Sequence, residues 1–110
     1  MNNKSLEALG EQYFFLKEHY EDLKAKCEPG AQRKELKTRF DTSEENFEKA
    51  INLILDAGNT TVKSLTNKLK ANTKKIKEAL EEDEEAVAIL ETITIGVQLG
   101  GDLIALGRAA

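Results

Sequence analysis

The chain has no tryptophan, one proline, one cysteine and one histidine among its 110 residues, and aromatic side chains make up 5% of it. Each scarcity excludes something. With so few helix breakers beside so many Glu, Lys, Leu and Ala, long helices are favoured over a sheet. Valine, isoleucine and tyrosine are too scattered for strands, and none is expected. The lone Cys27 has no partner for an internal disulfide, so the chain is not a stapled secreted scaffold and a reducing, cytoplasmic setting is expected. The opening residues Met1–Glu7 hold no apolar stretch of the kind that makes a secretory signal.

Chemistry is equally thin. His19 has Glu18, Glu21 and Asp22 near it in sequence, the ordinary dress of a helix surface. Cys27 has Lys24 and Lys26 nearby but continues an apolar pattern, which points to packing and not to nucleophilic attack. One histidine and one cysteine fall short of the about four ligands that zinc takes. The acidic run Glu81–Glu85 lacks the alternating oxygen ligands and central glycine of a calcium loop. The glycines at 96, 100, 101 and 107 are not followed by Lys-Ser or Lys-Thr, so no phosphate loop is present. No catalytic, cofactor or metal site, no small-molecule substrate and no enzyme activity are expected.

What is present is a balance of 40% hydrophobic and 33% charged residues, enough for one folded domain over residues 1–110. The net charge of -4 (16 basic, 20 acidic side chains) does not suit a general nucleic-acid binder. Leu6, Leu9, Tyr13, Leu16, Tyr20, Leu23 and Cys27 alternate at spacings of three and four, an a/d pattern over about three heptads. It predicts a helix over 4–27, capped by Asn3 or Ser5 and stopped by Glu28-Pro29-Gly30. Phe14 and Phe15 widen its apolar face beyond a coiled-coil seam. Leu36, Phe40, Ser43, Phe47, Ala50, Ile54 and Ala57 predict a second helix over 31–57. Asp41-Thr42-Ser43-Glu44-Glu45 reads as an internal cap signal that could kink or break that helix, but one continuous helix is favoured.

After Gly58-Asn59, with Thr60 as cap, a third helix is predicted over 60–81. Val62, Leu65, Leu69, Ile76 and Leu80 share one face, interrupted by Asn72 and Thr73. Six lysines flank that face without one acid between them; Lys63, Lys70, Lys74 and Lys77 form the candidate basic face. With no aromatic residue and no arginine there, anionic lipid is a better fit than specific nucleic-acid recognition, and neutralising acids on neighbouring helices is the simplest role.

A fourth helix is predicted over 84–107, the most apolar part of the chain. Its acids and glutamine (Glu91, Gln98 and Asp102) fall within about 40° on a helix, so most of its surface must be covered by protein or lipid. The 22 residues from Ala86 to Gly107 match the about 20 needed to cross a bilayer. Gly96-Val97-Gln98-Leu99-Gly100 has the G-x-x-x-G spacing of close helix contacts. The candidate interaction residues are therefore Val87, Leu90, Ile93, Gly96, Val97, Leu99, Gly100, Leu103 and Ile104. Helices three and four could run together, but some 48 residues would span roughly 70 Å and leave the apolar half uncovered. Acids also disfavour a helix C-terminus and favour the next N-terminus, so a turn near Glu82-Asp83 is preferred.

The reading is an all-α bundle of long antiparallel amphipathic helices, four favoured. The expected function is protein–protein interaction or self-association, a homodimer included, through the apolar last helix. The alternative is a membrane-associating or membrane-inserting protein, toxin- or pore-like, that releases that helix; the chain would then lie in the cytoplasm or peripheral to a membrane. In architecture alone, such a bundle resembles membrane-active helical toxins. A third, weaker alternative is an accessory or inhibitory protein that binds a basic partner.

Overall fold

The structure, a computed structural model, describes residues 4–109. It is all-α, with elements α1 (Lys4–Glu18), α2 (Tyr20–Lys26), α3 (Ala31–Ile51), β1 (Leu53–Ile54), α4 (Thr60–Glu81), α5 (Ala86–Ala105) and β2 (Arg108–Ala109). The four long helices form a square bundle of 41 × 22 × 18 Å. α1 lies between α3 and α4, and α5 closes the square on the opposite corner. Within each hairpin, α1 with α3 and α4 with α5, the helices run antiparallel. Across the square the neighbours run parallel: Ser5 meets Thr66 near the starts of α1 and α4, and Arg39 and Asn46 meet Thr94 and Val97 in turn along α3 and α5.

The a/d residues do what their spacing predicts. Leu9, Leu16, Leu23, Leu36, Leu69, Ile76, Ile93 and Leu103 are all buried. Each stabilises the fold by about 1.5–3 kcal/mol through lost apolar exposure. They form two clusters, one around Leu16, Leu36, Ile76 and Ile89, the other around Leu9, Ala50, Leu69 and Leu103.

Several boundaries differ from the sequence reading. The first helix bends at His19, whose φ of -102° and ψ of 12° interrupt it, although His19 N–H still donates to the Phe15 carbonyl at 3.0 Å. Of the two expected caps, Asn3 lies outside the described residues. Ser5 sits inside α1 and is buried, its hydroxyl 2.8 Å from that of Thr66. The internal cap signal at Asp41–Glu45 does not break α3. The Thr42 hydroxyl donates to the Thr38 carbonyl and that of Ser43 to the Phe40 carbonyl, so both are satisfied within the helix.

α3 ends at Ile51 and not near Ala57. The next residues cross the end of the bundle diagonally to α4, and there Leu53 and Ile54 pair antiparallel with Ala109 and Arg108. The expectation of no strand is thus corrected by a four-residue pairing that straps the tail of α5 onto the crossover. Asn59, not Thr60, caps α4: its side chain accepts from Val62 N–H at 3.1 Å.

The turn between α4 and α5 falls where the acidic run predicted it. Glu84 N–H donates to the Ala79 carbonyl at 3.0 Å and Asp83 N–H to the Leu80 carbonyl at 3.2 Å, a Schellman closure. It requires a left-handed residue, and Asp83 takes that role with a φ of 57°. The Lys26 ammonium at the end of α2 pairs with the Asp83 carboxylate and donates to the Glu84 carbonyl at 3.3 Å. Because Glu84 is used in this closure, α5 begins at Ala86.

Candidate interaction surface

Outside the stripe of Glu91, Gln98 and Asp102, α5 is apolar or small almost all round, so its inward and outward faces must be separated. Of the nine candidate residues, Leu90, Ile93, Gly96, Val97, Gly100 and Leu103 turn inward and are buried by the bundle itself. Leu99 and Ile104 are half-buried at the flanks. Val87 faces outward and is 56% exposed.

The inward glycines meet amides. A Cβ built on Gly96 would collide with Asn72 Oδ1 and lie 3.0 Å from Gln12 Nε2. One on Gly100 would lie 3.1 Å from Asn46 Nδ2 and 3.4 Å from Gln12 Oε1. The G-x-x-x-G spacing therefore makes room for a polar layer inside the bundle, with one amide side chain from each of α1, α3 and α4. Asn46 and Asn72 donate to the Val97 and Thr92 carbonyls at 3.4 and 3.0 Å. Gln12 is 1% exposed, and neither its amide nitrogen nor its oxygen has a protein partner. Such burial without a partner costs stability. The layer lies between the two hydrophobic clusters, and Asn72 belongs to the polar interruption noticed in the sequence.

The outward stripe of α5 carries Val87, Glu91, Ile95, Gln98 and Asp102, all exposed. At about 100° per residue these five fall within about 80° of one another. Ile95, 55% exposed, is absent from the candidate set, although its spacing from Val87 and Glu91 places it on the same stripe. Val87, Leu90 and Ile95 form the apolar floor of a trough of about 510 Å³ between α5 and α3. Gln32 and Glu35 on α3 and Glu91 on α5 wall it. No local signal places α3 here, because which helices become neighbours is a matter of topology. A second trough of about 570 Å³ shares Gln32 and Val87 with the first and runs to the α4–α5 turn past Glu28, Asp83, Glu84 and Glu85.

The candidate basic face lies on α4, outside these troughs. Lys63, Lys74 and Lys77 are exposed and Lys70 is half-buried. Among the described residues, none of the four is ion-paired with a carboxylate. The expected neutralisation of acids on neighbouring helices thus does not occur through direct pairs.

The reactive residues are placed quietly. His19 packs its ring on Phe15, centroids 4.5 Å apart, and lies 3.7 Å from the exposed Asp22 carboxylate. Cys27 is buried, and burial pushes its thiol above the ordinary range, away from the reactive thiolate. The Tyr13 phenol donates to Glu44 at 2.8 Å, which holds its proton on to higher pH. Among the described residues no three His, Cys, Asp or Glu side chains converge as a metal site would need.

Comparison of the chain with protein-family models, with curated proteins and with solved structures finds no match.

Proposed function

We propose that the chain is a non-enzymatic helical-bundle protein that works by protein–protein interaction through the outer stripe of α5. The observation that carries this reading is the pair Val87 and Ile95. Both are more than half exposed, and both line the trough between α3 and α5. Exposed apolar side chains gathered at a concave site, with a polar rim, are the usual make-up of a docking surface. The six inward residues of α5 contribute by holding the helix in place.

Site-specific photo-crosslinking in the source cells tests this. A photoreactive side chain at position 87 or 95 is expected to give protein adducts, and one at Asn67 on the outer face of α4 is not. Adducts to a second copy of the chain would make the interface a homodimer. Equal labelling from all three positions, or none, would overturn the docking reading.

A second reading has its own support. α5 is long and apolar enough to cross a bilayer by length and composition, and 39% of its most apolar stretch is buried in the bundle. A membrane-associating protein would release this helix at a lipid surface, with the α4–α5 turn as hinge. Lipid adducts from positions 87 and 95 would favour it, as would flotation with anionic liposomes that truncation after Glu85 abolishes.

A further inference from the structure

We infer that the trough between α3 and α5 receives a basic amphipathic helix from a partner protein. The inference deepens the docking reading and rests on it. Three observations choose the occupant.

The first is the apolar lining. The buried Leu90 lines the trough, and Val87 and Ile95 stand eight residues apart on α5, with Glu91 midway along the same stripe. At about 1.5 Å per residue this is about 12 Å, two turns of a docked helix. The second is the walls. Both are helices whose backbone groups are already used within the helix, so neither offers an edge to which an extended strand could pair. An occupant that leaves water here must satisfy its own backbone, and a helix does so.

The third is charge. Glu35 and Glu91 stand beside the floor, and Glu28, Asp83, Glu84 and Glu85 surround the end of the trough. The one cation among the lining residues, Lys26, is already paired with Asp83. Glu28, Glu84, Glu85 and Glu91 have no ion pair among the described residues. A twofold dimer centred on the trough would bring these carboxylates against their own counterparts, which costs binding energy. The basic face of α4 has the right charge for a second copy but no exposed large apolar residue to fill the floor. A helix with two apolar side chains on one face and Lys or Arg on either side meets both demands.

The test uses the full chain and three labelled 18-residue probe peptides, read by fluorescence anisotropy. One has Leu on one helical face and Lys on the flanks. One carries Glu in place of Lys. One has the Leu/Lys composition scrambled so that no apolar face forms. The Leu/Lys helix is expected to bind, more weakly as salt is raised. The Leu/Glu helix should not bind, and the scrambled peptide should bind about tenfold more weakly or less. The double substitution Glu35→Lys with Glu91→Lys, both at exposed positions, should weaken the Leu/Lys probe about tenfold. No binding of the Leu/Lys helix, equal binding of the scrambled peptide, or indifference to the double substitution would overturn the inference. If positions 87 and 95 nevertheless crosslink to protein, the docking reading survives and only the basic partner is lost.

Discussion

α4 and α5 are near equals in length, 22 and 20 residues, and pack against each other as an antiparallel pair. Their inner faces are alike: Val62, Leu69 and Ile76 on one, Ile89, Ile93 and Leu103 on the other. Their outer faces are opposites. Among the described residues, α4 shows water a row of lysines without a carboxylate partner and no large apolar residue. α5 shows water Val87 and Ile95 set among Glu91, Gln98 and Asp102. The outside of α4 thus exposes no large apolar side chain, and that of α5 exposes two. Burial alone does not distinguish a core helix from a contact helix; the residues left outside after packing do.

The largest effect is expected at the inner face that the two helices share. Ile93→Ala empties a fully buried site and should cost about 2–5 kcal/mol by denaturant unfolding. Lys74→Ala on the outer face of α4 should stay within about 0.5 kcal/mol. A cost near zero at Ile93 would mean that α5 is not held as described.

Gly96→Ala comes next. Its new methyl group must displace the Asn72 amide, which is fixed to the Thr92 carbonyl, and should cost about 1–3 kcal/mol. The cost should shrink in an Asn72→Ala background, and a double-mutant cycle would read that coupling. Additive costs would place the glycine away from the amide. Gln12→Met, close to it in volume, should raise stability by about 1–3 kcal/mol, because it removes two buried polar atoms that lack protein partners. A loss of stability would mean that Gln12 is satisfied by water.

The outer edge should barely register. Val87→Asp is expected to change stability by about 0.5 kcal/mol or less while abolishing protein adducts from position 95.

The smallest effect belongs to the turn. Lys26 holds the Asp83 carboxyl below its ordinary range, first by their hydrogen bond and then by its charge. A carboxylate whose pKa falls on folding stabilises the fold above its unfolded pKa and loses that contribution as pH falls through the folded one. The stability difference between the wild type and Lys26→Met should therefore narrow on acidification through that window. A difference that is flat or widens would dissociate the pair from the fold.

Much of this fold was legible in the sequence, for reasons that mark where legibility ends. The a/d spacing of Leu9, Leu16 and Leu23 and of Val62, Leu69 and Ile76 finds the core because helical periodicity is a local property. The turn at Asp83 was legible because repulsion within the acidic run and the helix dipoles agree on its place. The end of α3 was not. Ile54 continues its apolar pattern, yet Leu53 and Ile54 leave the helix and pair with the distant Ala109 and Arg108. The G-x-x-x-G spacing announces close approach, but sequence alone does not say to whom. The answer is Gln12, Asn46 and Asn72 of the same chain. The trough needed α3 beside α5, a parallel neighbour that no local signal announces.

On the proposed docking function, α5 stays within the bundle and offers a partner only its outer stripe. Hydrogen exchange of the full chain, with and without anionic vesicles, tests it most directly. The account predicts that the amides from Ile89 to Leu103 keep the same slow exchange in both conditions. Rapid exchange of those amides, with simultaneous loss of protection around Leu16 and Ile76, would show the helix leaving the bundle for the lipid and would contradict it.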